Sequence, residues 1–226
     1  MKPYISVAID GPAGAGKSTI ARRVASELGY LYVDTGAIYR TVGYHMSLMG
    51  IGPKDTDGIR RCLDDVNIEI RYGEDGLQHM MLNGSDVTDQ IRTPEMSAMA
   101  SGVAAQSCVR DYLLEMQRAL AKTNNVVMDG RDIGTVVLPD APVKIYLTAS
   151  EGVRADRRFK ELTAKGENVR YEDIYTDIVK RDQQDMNRPI APLRCAKDAV
   201  VVDSSYLSID QVVAEIKAII RKKAEA

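Results

Sequence analysis

The sequence predicts an α/β fold with a five-stranded parallel sheet at its core and helices on both faces. Short runs rich in β-branched residues alternate with longer amphipathic stretches, and this alternation is typical of parallel βαβ units. A glycine-rich loop follows the first of these runs and opens a helical stretch. In the middle of the chain the alternation stops, and there we expect an inserted antiparallel lobe.

The sheet strands are predicted from five short runs: YISVAI, YLYVD, NVVMD, VKIYL and AVVVD. A helix from about Lys17 to Leu28 should follow the first run, and a second from about Ala37 to Met49 should follow the next. Ser208 and Gln211 have the spacing of a capping box, which predicts that a final helix begins there and runs to about Lys222.

The inserted lobe is predicted from NIEIRY and LQHMML, which alternate with period two and are separated by the turn GEDG. A second turn, NGSD, follows them. We expect one single unit, with a core over residues 1–60 and 104–226 and the lobe over about 61–103. The polar loop LTAKGENVRY lies between two predicted helices, and we expect a mobile lid over about 155–171.

Composition excludes several classes of protein. Thirty basic and thirty-two acidic residues give a formal charge of −2, so no overall field attracts nucleic acid or an anionic membrane. The apolar runs are strand-sized and the N-terminus lacks a signal region, so we expect a cytoplasmic protein with no membrane partner. We also expect a monomer with no nucleic-acid partner. Three scattered cysteines and two histidines argue against structural zinc, a disulfide framework and Ser/His or Cys/His catalysis.

The strongest motif is GPAGAGKS, which fits G-x-x-x-x-G-K-[ST] between a predicted strand and a helix. Its backbone N–H groups and the helix N-terminus should bind a polyphosphate, so the predicted residues for binding a nucleoside triphosphate are Gly11, Pro12, Ala13, Gly14, Ala15, Gly16, Lys17, Ser18 and Thr19. Lys17 should reach the β- and γ-phosphates, and Ser18 should bind Mg²⁺. GTPases, motor ATPases and small-molecule kinases share this loop, so the motif leaves the reaction open.

Other features of the sequence narrow the class of reaction that the loop serves. The chain has no N-K-x-D tetrapeptide, which disfavours a common GTPase, and it is short for a motor ATPase. A kinase needs cations around the migrating phosphate, and arginines are available at positions 40, 110, 131, 157, 158, 181 and 188. An arginine-rich site without histidine favours a phosphate acceptor, whose oxygen is already anionic. For Arg154, Arg157 and Arg158 a solvated helix face fits as well as a functional role.

Four motifs occur in order along nearly the whole chain: IDGPAGAGKST, DTGAIYR, DGRDIGTVVLPDAPVKIYL and RDQQDMNRPIAPL. Together they resemble bacterial cytidylate kinases, which are nucleoside monophosphate kinases. The resemblance implies a P-loop kinase fold and direct in-line phosphoryl transfer from ATP to CMP or dCMP. It also implies that the inserted lobe binds the monophosphate and that the loop after Arg158 is the lid.

The resemblance also implies roles for individual residues. Its substrate-binding set is Thr35, Tyr39, Arg40, Ser101, Arg110, Arg131, Asp132, Arg181, Asp185 and Arg188, and its catalytic cations are Lys17, Arg131, Arg157, Arg158 and Arg188. Asp132, with Ser101 and Arg110, should recognise cytosine, because a carboxylate accepts from its exocyclic amine. Uracil would place a carbonyl there, so we expect discrimination. Arg181 and Asp185 should bind the sugar, although their spacing alone suggests a surface ion pair.

The strand end VVMDGRDIGTVV contains a candidate carboxylate for binding Mg²⁺. Two acids and a base at the tip of a core strand suggest a metal-holding carboxylate, another ligand site or an exposed turn. Asp129 is the better candidate to reach Mg²⁺ through water, and Asp34 is the alternative. Two other functions also stay open: a kinase of the same fold for UMP, AMP or a small alcohol, and an ATP-dependent switch.

Overall fold

A computed structural model of the protein describes residues 4–74 and 76–224. The chain falls into two compact units, of which the first runs to Leu31 and resumes at Asn125, and the second spans Tyr32–Asn124. The predicted insertion, residues 61–103, lies within the second unit.

The described strands, in chain order, are β1 (Ser6–Asp10), β2 (Leu31–Asp34), β3 (Ile68–Tyr72), β4 (Gln78–Leu82), β5 (Ser85–Asp86), β6 (Val126–Gly130), β7 (Val143–Thr148) and β8 (Val200–Asp203). The described helices are α1 (Lys17–Leu28), α2 (Thr35–Leu48), α3 (Thr56–Leu63), α4 (Pro94–Val103), α5 (Ser107–Thr123), α6 (Glu151–Ala164), α7 (Tyr171–Asn187) and α8 (Ile209–Ala224). A short π-helical turn, Ile133–Val137, follows β6. None of the helices described combines the length and apolar character needed to cross a bilayer.

The main sheet confirms the predicted five-stranded parallel core, with strand order β2-β6-β1-β7-β8. β1 pairs in parallel with both β6 and β7, and β7 pairs in parallel with β8. Every residue of β6 is buried, as expected for a central strand of a parallel sheet. The polar residues at the carboxyl ends of β1 and β6 are therefore held on a rigid, fully packed frame.

Helix boundaries follow local sequence signals. α1 has the predicted bounds, because it begins directly after Gly16 and ends at Gly29, both in the left-handed region. α2 begins two residues before the predicted start, since the Asp34 side chain accepts from the Ala37 N–H at 2.8 Å and caps the helix. The capping box at Ser208 and Gln211 is confirmed, with reciprocal hydrogen bonds of 2.8 and 3.2 Å.

The second unit contains the predicted meander, a three-stranded antiparallel sheet of order β3-β4-β5. Ile68 lies opposite Leu82 on β4, and Met81 lies opposite Asp86 on β5. Helix α2 packs against β4 and α4 within the same unit. Gln78, buried at the start of β4, accepts from the Asp34 N–H at 2.8 Å.

Helices α6 and α7 of the first unit share a small core of their own. Its buried members are Ala155, Leu162, Ile174 and Ile178, and Phe159 and Val169 pack against them. The connection between the two helices is mostly exposed and contains Gly166 with a φ of 81°. The polar loop of the predicted lid is therefore the tip of a helical hairpin.

Candidate functional site

The phosphate loop connects β1 to α1 and is built mainly from backbone. Gly14 and Gly16 have φ values of 75° and 88°, which glycine adopts without steric cost. A Cβ atom on Gly11 would lie 1.9 Å from the carbonyl oxygen of Leu147 on β7, so no larger residue fits there. The loop therefore has the close packing and the curvature that a cradle of N–H groups needs.

Lys17 lies at the start of α1 with its side chain turned back over the loop. Its Nζ donates to the carbonyl oxygen of Pro12 at 2.8 Å, and the residue is 6% exposed. Burial, followed by the positive charge of Arg131, lowers the pKa of Lys17 well below its ordinary value. A polyphosphate in the loop would favour the charged form, so phosphate binding and the charge of Lys17 support each other.

Ser18 and Asp129 form a pair of oxygen ligands suited to magnesium. The Ser18 Oγ donates to Asp129 Oδ2 at 2.9 Å, and Asp129 is buried at the end of β6. Mg²⁺ prefers oxygen ligands and takes few from the protein, so this hydroxyl and carboxylate fit it. Asp34, the alternative, already caps α2 and accepts from Arg40 Nη2 at 3.1 Å.

Two ion pairs join the segment after β6 to the end of α7. Arg131 Nε donates to Asp185 Oδ2 at 2.8 Å, and Arg188 Nη2 donates to Asp132 Oδ1 at 3.2 Å. Both carboxylates are buried. Four residues predicted to bind the substrate are thus brought together within the first unit, and each guanidinium group has a fixed direction.

The predicted sugar-binding pair, Arg181 and Asp185, lies on α7, as its spacing of four suggested. Asp185 is the acceptor for Arg131, which is 54 residues away in sequence. The positive charge of Arg181 contributes to lowering the pKa of Lys17. Arg181 therefore lies close enough to the phosphate loop for the two cations to repel each other.

The second unit places the other predicted substrate residues on two of its helices and near the start of a third. Thr35 is buried in the first turn of α2, which also carries Tyr39 and Arg40. The guanidinium carbon of Arg110, on α5, lies 5.7 Å from the centroid of the Tyr39 ring, a cation–π distance. Arg110 Nη1 also donates to the carbonyl oxygen of Ala104 at 3.2 Å. Ser101 is half-buried on α4.

Arg157 and Arg158, the predicted lid cations, have different kinds of partner in this structure. Arg157 donates through Nη2 to the carbonyl oxygen of Ser204 at 2.6 Å and through Nη1 to Ser204 Oγ at 3.1 Å. Arg158 pairs with Glu161 at 2.9 Å, and its side chain is 37% exposed. Their catalytic role stays a prediction.

Sequence reasoning left Arg154 without an assigned role, with a solvated helix face and a function weighed equally. In the structure Arg154 supports the phosphate loop from α6. This guanidinium is 3% exposed and donates to the carbonyl oxygens of Ala13 and Ala149, each at 2.9 Å, and to Asp182 Oδ2 at 2.6 Å. Arg154 precedes the buried Leu162 by eight residues, and that helical spacing could have placed it on the buried face.

Sequence reasoning missed Asp10, the last residue of β1. Its two carboxylate oxygens accept from the N–H groups of Ile133 and Gly134, each at 2.7 Å. The residue is 4% exposed, and burial above all raises the pKa of Asp10 to about 6. A polar residue that ends an apolar strand directly before Gly11 was the available signal.

Comparisons with known proteins agree over nearly the whole chain. The cytidylate kinase family profile matches residues 7–222. A cytidylate kinase from Carboxydothermus hydrogenoformans is 50% identical over 217 residues, covering 96% of this chain and 97% of that protein. A cytidylate kinase from Caldicellulosiruptor bescii is 51% identical over 212 residues, covering 94% and 93%. An uncharacterized protein from Eubacterium ventriosum superposes with a TM-score of 0.51 at 12% identity, covering 96% and 98%, which concerns the fold alone.

Proposed function

The chain belongs to the cytidylate kinase family, and from that membership we infer that it transfers the γ-phosphate of ATP to CMP, giving ADP and CDP. The observation that supports this best is the 50% identity to a cytidylate kinase over 96% of this chain, together with a complete phosphate loop. We further propose that dCMP is an acceptor, that Mg²⁺ accompanies ATP, and that the enzyme acts as a cytoplasmic monomer in pyrimidine nucleotide metabolism.

On the donor side, we propose that Gly11–Ser18 and Thr19 bind the ATP phosphates. The left-handed glycines and the start of α1 after Gly16 support this assignment, because they direct backbone N–H groups into the loop. Ser18 would hold the metal directly and Asp129 through water, and bound Mg²⁺ would neutralise charge on the β- and γ-oxygens. Lys17 would bind the migrating phosphoryl group. Burial lowers the pKa of Lys17, and a bound phosphate would raise that pKa again by favouring the charged form.

On the acceptor side, we propose that Arg131, Arg188 and Arg40 bind the phosphates. The CMP phosphate oxygen is anionic at neutral pH, so the reaction needs positioned cations rather than a general base. Asp185 holds Arg131 at 2.8 Å and so fixes the direction of its remaining donors. Arg181 and Asp185 would bind the sugar, and Thr35 the CMP phosphate.

We propose that Asp132, Ser101 and Arg110 select the base, with Tyr39 packing beside the pyrimidine. Arg188 holds Asp132 Oδ1 at 3.2 Å, which limits the directions that this buried carboxylate can take. The cation–π contact with Tyr39 likewise limits Arg110. A buried acceptor of fixed direction favours the cytosine amine over the uracil carbonyl, because the wrong partner leaves a polar group unsatisfied.

We propose that residues 155–171 act as the lid and that closure brings Arg157 and Arg158 to the transferred phosphate. The small core shared by α6 and α7 supports movement of the hairpin as one body. Closure would exchange the Ser204 contacts of Arg157 for phosphate contacts, so binding energy of the substrates would offset two hydrogen bonds.

The experiment that tests this function is a coupled assay with CMP, dCMP, UMP and AMP as acceptors. We expect kcat/KM for CMP to exceed that for UMP by at least about tenfold. Asp132→Asn should lower the preference for CMP, because its amide nitrogen can donate to the uracil carbonyl. Asp210→Asn on the exposed surface of α8, where Asp210 pairs with Arg23, is the matched control and should keep the wild-type preference.

Two outcomes would contradict the proposal at different points. Comparable kcat/KM for UMP and CMP in the wild-type protein would remove the assigned role of Asp132. ATP hydrolysis that proceeds without an acceptor and is unchanged by added CMP would instead favour an ATP-dependent switch.

A further inference from the structure

The buried carboxylate of Asp10 caps a helical turn that belongs to another part of the chain. The N–H groups of Ile133 and Gly134 donate to Asp10 Oδ1 and Oδ2, each at 2.7 Å. These two residues are the first of the π-helical turn Ile133–Val137. The leading N–H groups of any helical turn lack an acceptor within the turn, so an outside acceptor is required when they are buried.

The ordinary acceptor would be the residue directly before the turn, which is Asp132. Aspartate is among the residues most favoured at this N-cap position, because its side chain can accept from the N–H groups that follow. In the described structure Asp132 makes no such side-chain cap hydrogen bond, and its Oδ1 pairs with Arg188 instead. Asp10 therefore does the capping, and the Asp132 carboxylate is directed elsewhere.

Gly134 makes the close approach of Asp10 possible. A Cβ atom on Gly134 would lie 3.3 Å from Asp10 Oδ2 and 3.2 Å from Cδ of Lys144. Lys144 is itself held by Asp198 at 2.8 Å. The turn is thus fixed between two charged residues with no space for an added side chain without a shift of a few tenths of an ångström.

We propose that Asp10 is a positioning residue for base selection, which keeps the Asp132 carboxylate available to the acceptor by capping the turn from β1. This inference rests on the proposed function, since it assumes that Asp132 recognises cytosine. Without the Asp10 carboxylate, two buried N–H groups lose their acceptor. Asp132, at the N-cap position, is the adjacent side chain that can accept from one of them, the Gly134 N–H at the second position of the turn. Asp132 would then fold back onto its own turn.

The primary test compares Asp10→Asn with the wild-type protein in the assay with CMP and UMP. Asparagine keeps the size of the side chain but has only one accepting oxygen, so one of the two N–H groups loses its partner. We expect kcat/KM for CMP to fall at least about tenfold and the preference for CMP over UMP to shrink by a similar factor. A merely structural role would reduce the active fraction and lower both acceptors equally.

A double-variant comparison asks whether Asp10 acts through Asp132. If it does, Asp10→Asn combined with Asp132→Asn should show the same CMP preference as Asp132→Asn alone. The double variant has no Asp132 carboxylate that the change at Asp10 could displace. Independent, multiplying losses of preference would overturn the proposal. Equal losses for CMP and UMP in Asp10→Asn would overturn it as well.

Two further variants keep the test decisive. Asp55→Asn removes the carboxylate that caps α3, where it accepts from the Gly58 N–H at 2.9 Å, and should leave the CMP preference unchanged. Gly134→Ala retains every side chain named and should reduce the preference if Asp10→Asn fails to fold; an unchanged preference would then overturn the proposal. A wild-type protein that does not prefer CMP would instead refute the proposed function itself.

Discussion

The phosphate loop and the two ion pairs Arg131–Asp185 and Arg188–Asp132 lie in the same compact unit but are built in opposite ways. The loop takes its geometry from consecutive residues, Gly11–Ser18, whose backbone makes the site. The ion pairs join side chains from distant elements, Arg131 to Asp185 and Arg188 to Asp132. At Gly11 the backbone site has no space for an added Cβ atom, whereas the side-chain site depends on every partner that holds its charges.

The largest expected effect is on the backbone site, from Gly11→Ala. The added Cβ would lie 1.9 Å from the Leu147 carbonyl oxygen, so β7 or the loop must move. We expect loss of measurable ATP binding and of kinase activity, with a lower melting temperature. Calorimetric titration with ATP and thermal unfolding measure both effects.

Gly52→Ala is the control for that change, because a Cβ atom at Gly52 would meet nothing within 4 Å. It should bind ATP as the wild-type protein does. Wild-type ATP affinity in Gly11→Ala would show that the loop tolerates added volume and would remove the contrast between the two regions.

The same difference explains what the sequence could predict. The loop, the bounds of α1 and the five strands of a parallel core follow from short consecutive patterns, and these were predicted. The order of the strands in the sheet depends on contacts between distant segments and was not predicted. The partners of Arg131 and Arg188 lie 54 and 56 residues away, and no local pattern specifies them. Arg154 was left undecided for a related reason, since its partners Ala13 and Asp182 lie far from it in the sequence.

The second-largest expected effect concerns Arg154, the buried side chain that supports the phosphate loop. Asp182→Asn leaves the buried Arg154 guanidinium without its carboxylate, and breaking a buried ion pair in this way costs about 3–5 kcal/mol. We expect the free energy of unfolding to fall by that amount. The KM for ATP should rise as well, because Arg154 also holds the Ala13 carbonyl of the loop at 2.9 Å. Urea unfolding and steady-state kinetics measure the two effects.

Asp156→Asn is the matched control for Asp182→Asn. Asp156 lies on the neighbouring helix and pairs with Lys160 at 2.7 Å on the exposed surface. Loss of such a surface pair changes stability by less than about 1 kcal/mol. Equal effects of the two substitutions would mean that the Arg154–Asp182 pair contributes no more than a surface contact.

The smallest expected effect concerns Asp10, which belongs to both regions because it precedes the loop and caps the turn beside Asp132. Burial raises the pKa of Asp10 from 3.8 to about 6, with Asp132 adding to the rise and Lys17 opposing it. Between these two pH values the native carboxyl binds more protons than the unfolded one, so its contribution to stability falls as pH rises. The change amounts to about 3 kcal/mol over the window.

Asp10→Asn removes this titration, so unfolding free energies of both proteins should be compared from about pH 4 to pH 7. We expect the wild-type value minus the variant value to decrease steadily as pH rises through the window and to level off near pH 7. A difference that stays constant would mean that Asp10 titrates alike in both states. In that case burial would not oppose its charge, and the two N–H groups of Ile133 and Gly134 would fully offset the loss of water around the carboxylate.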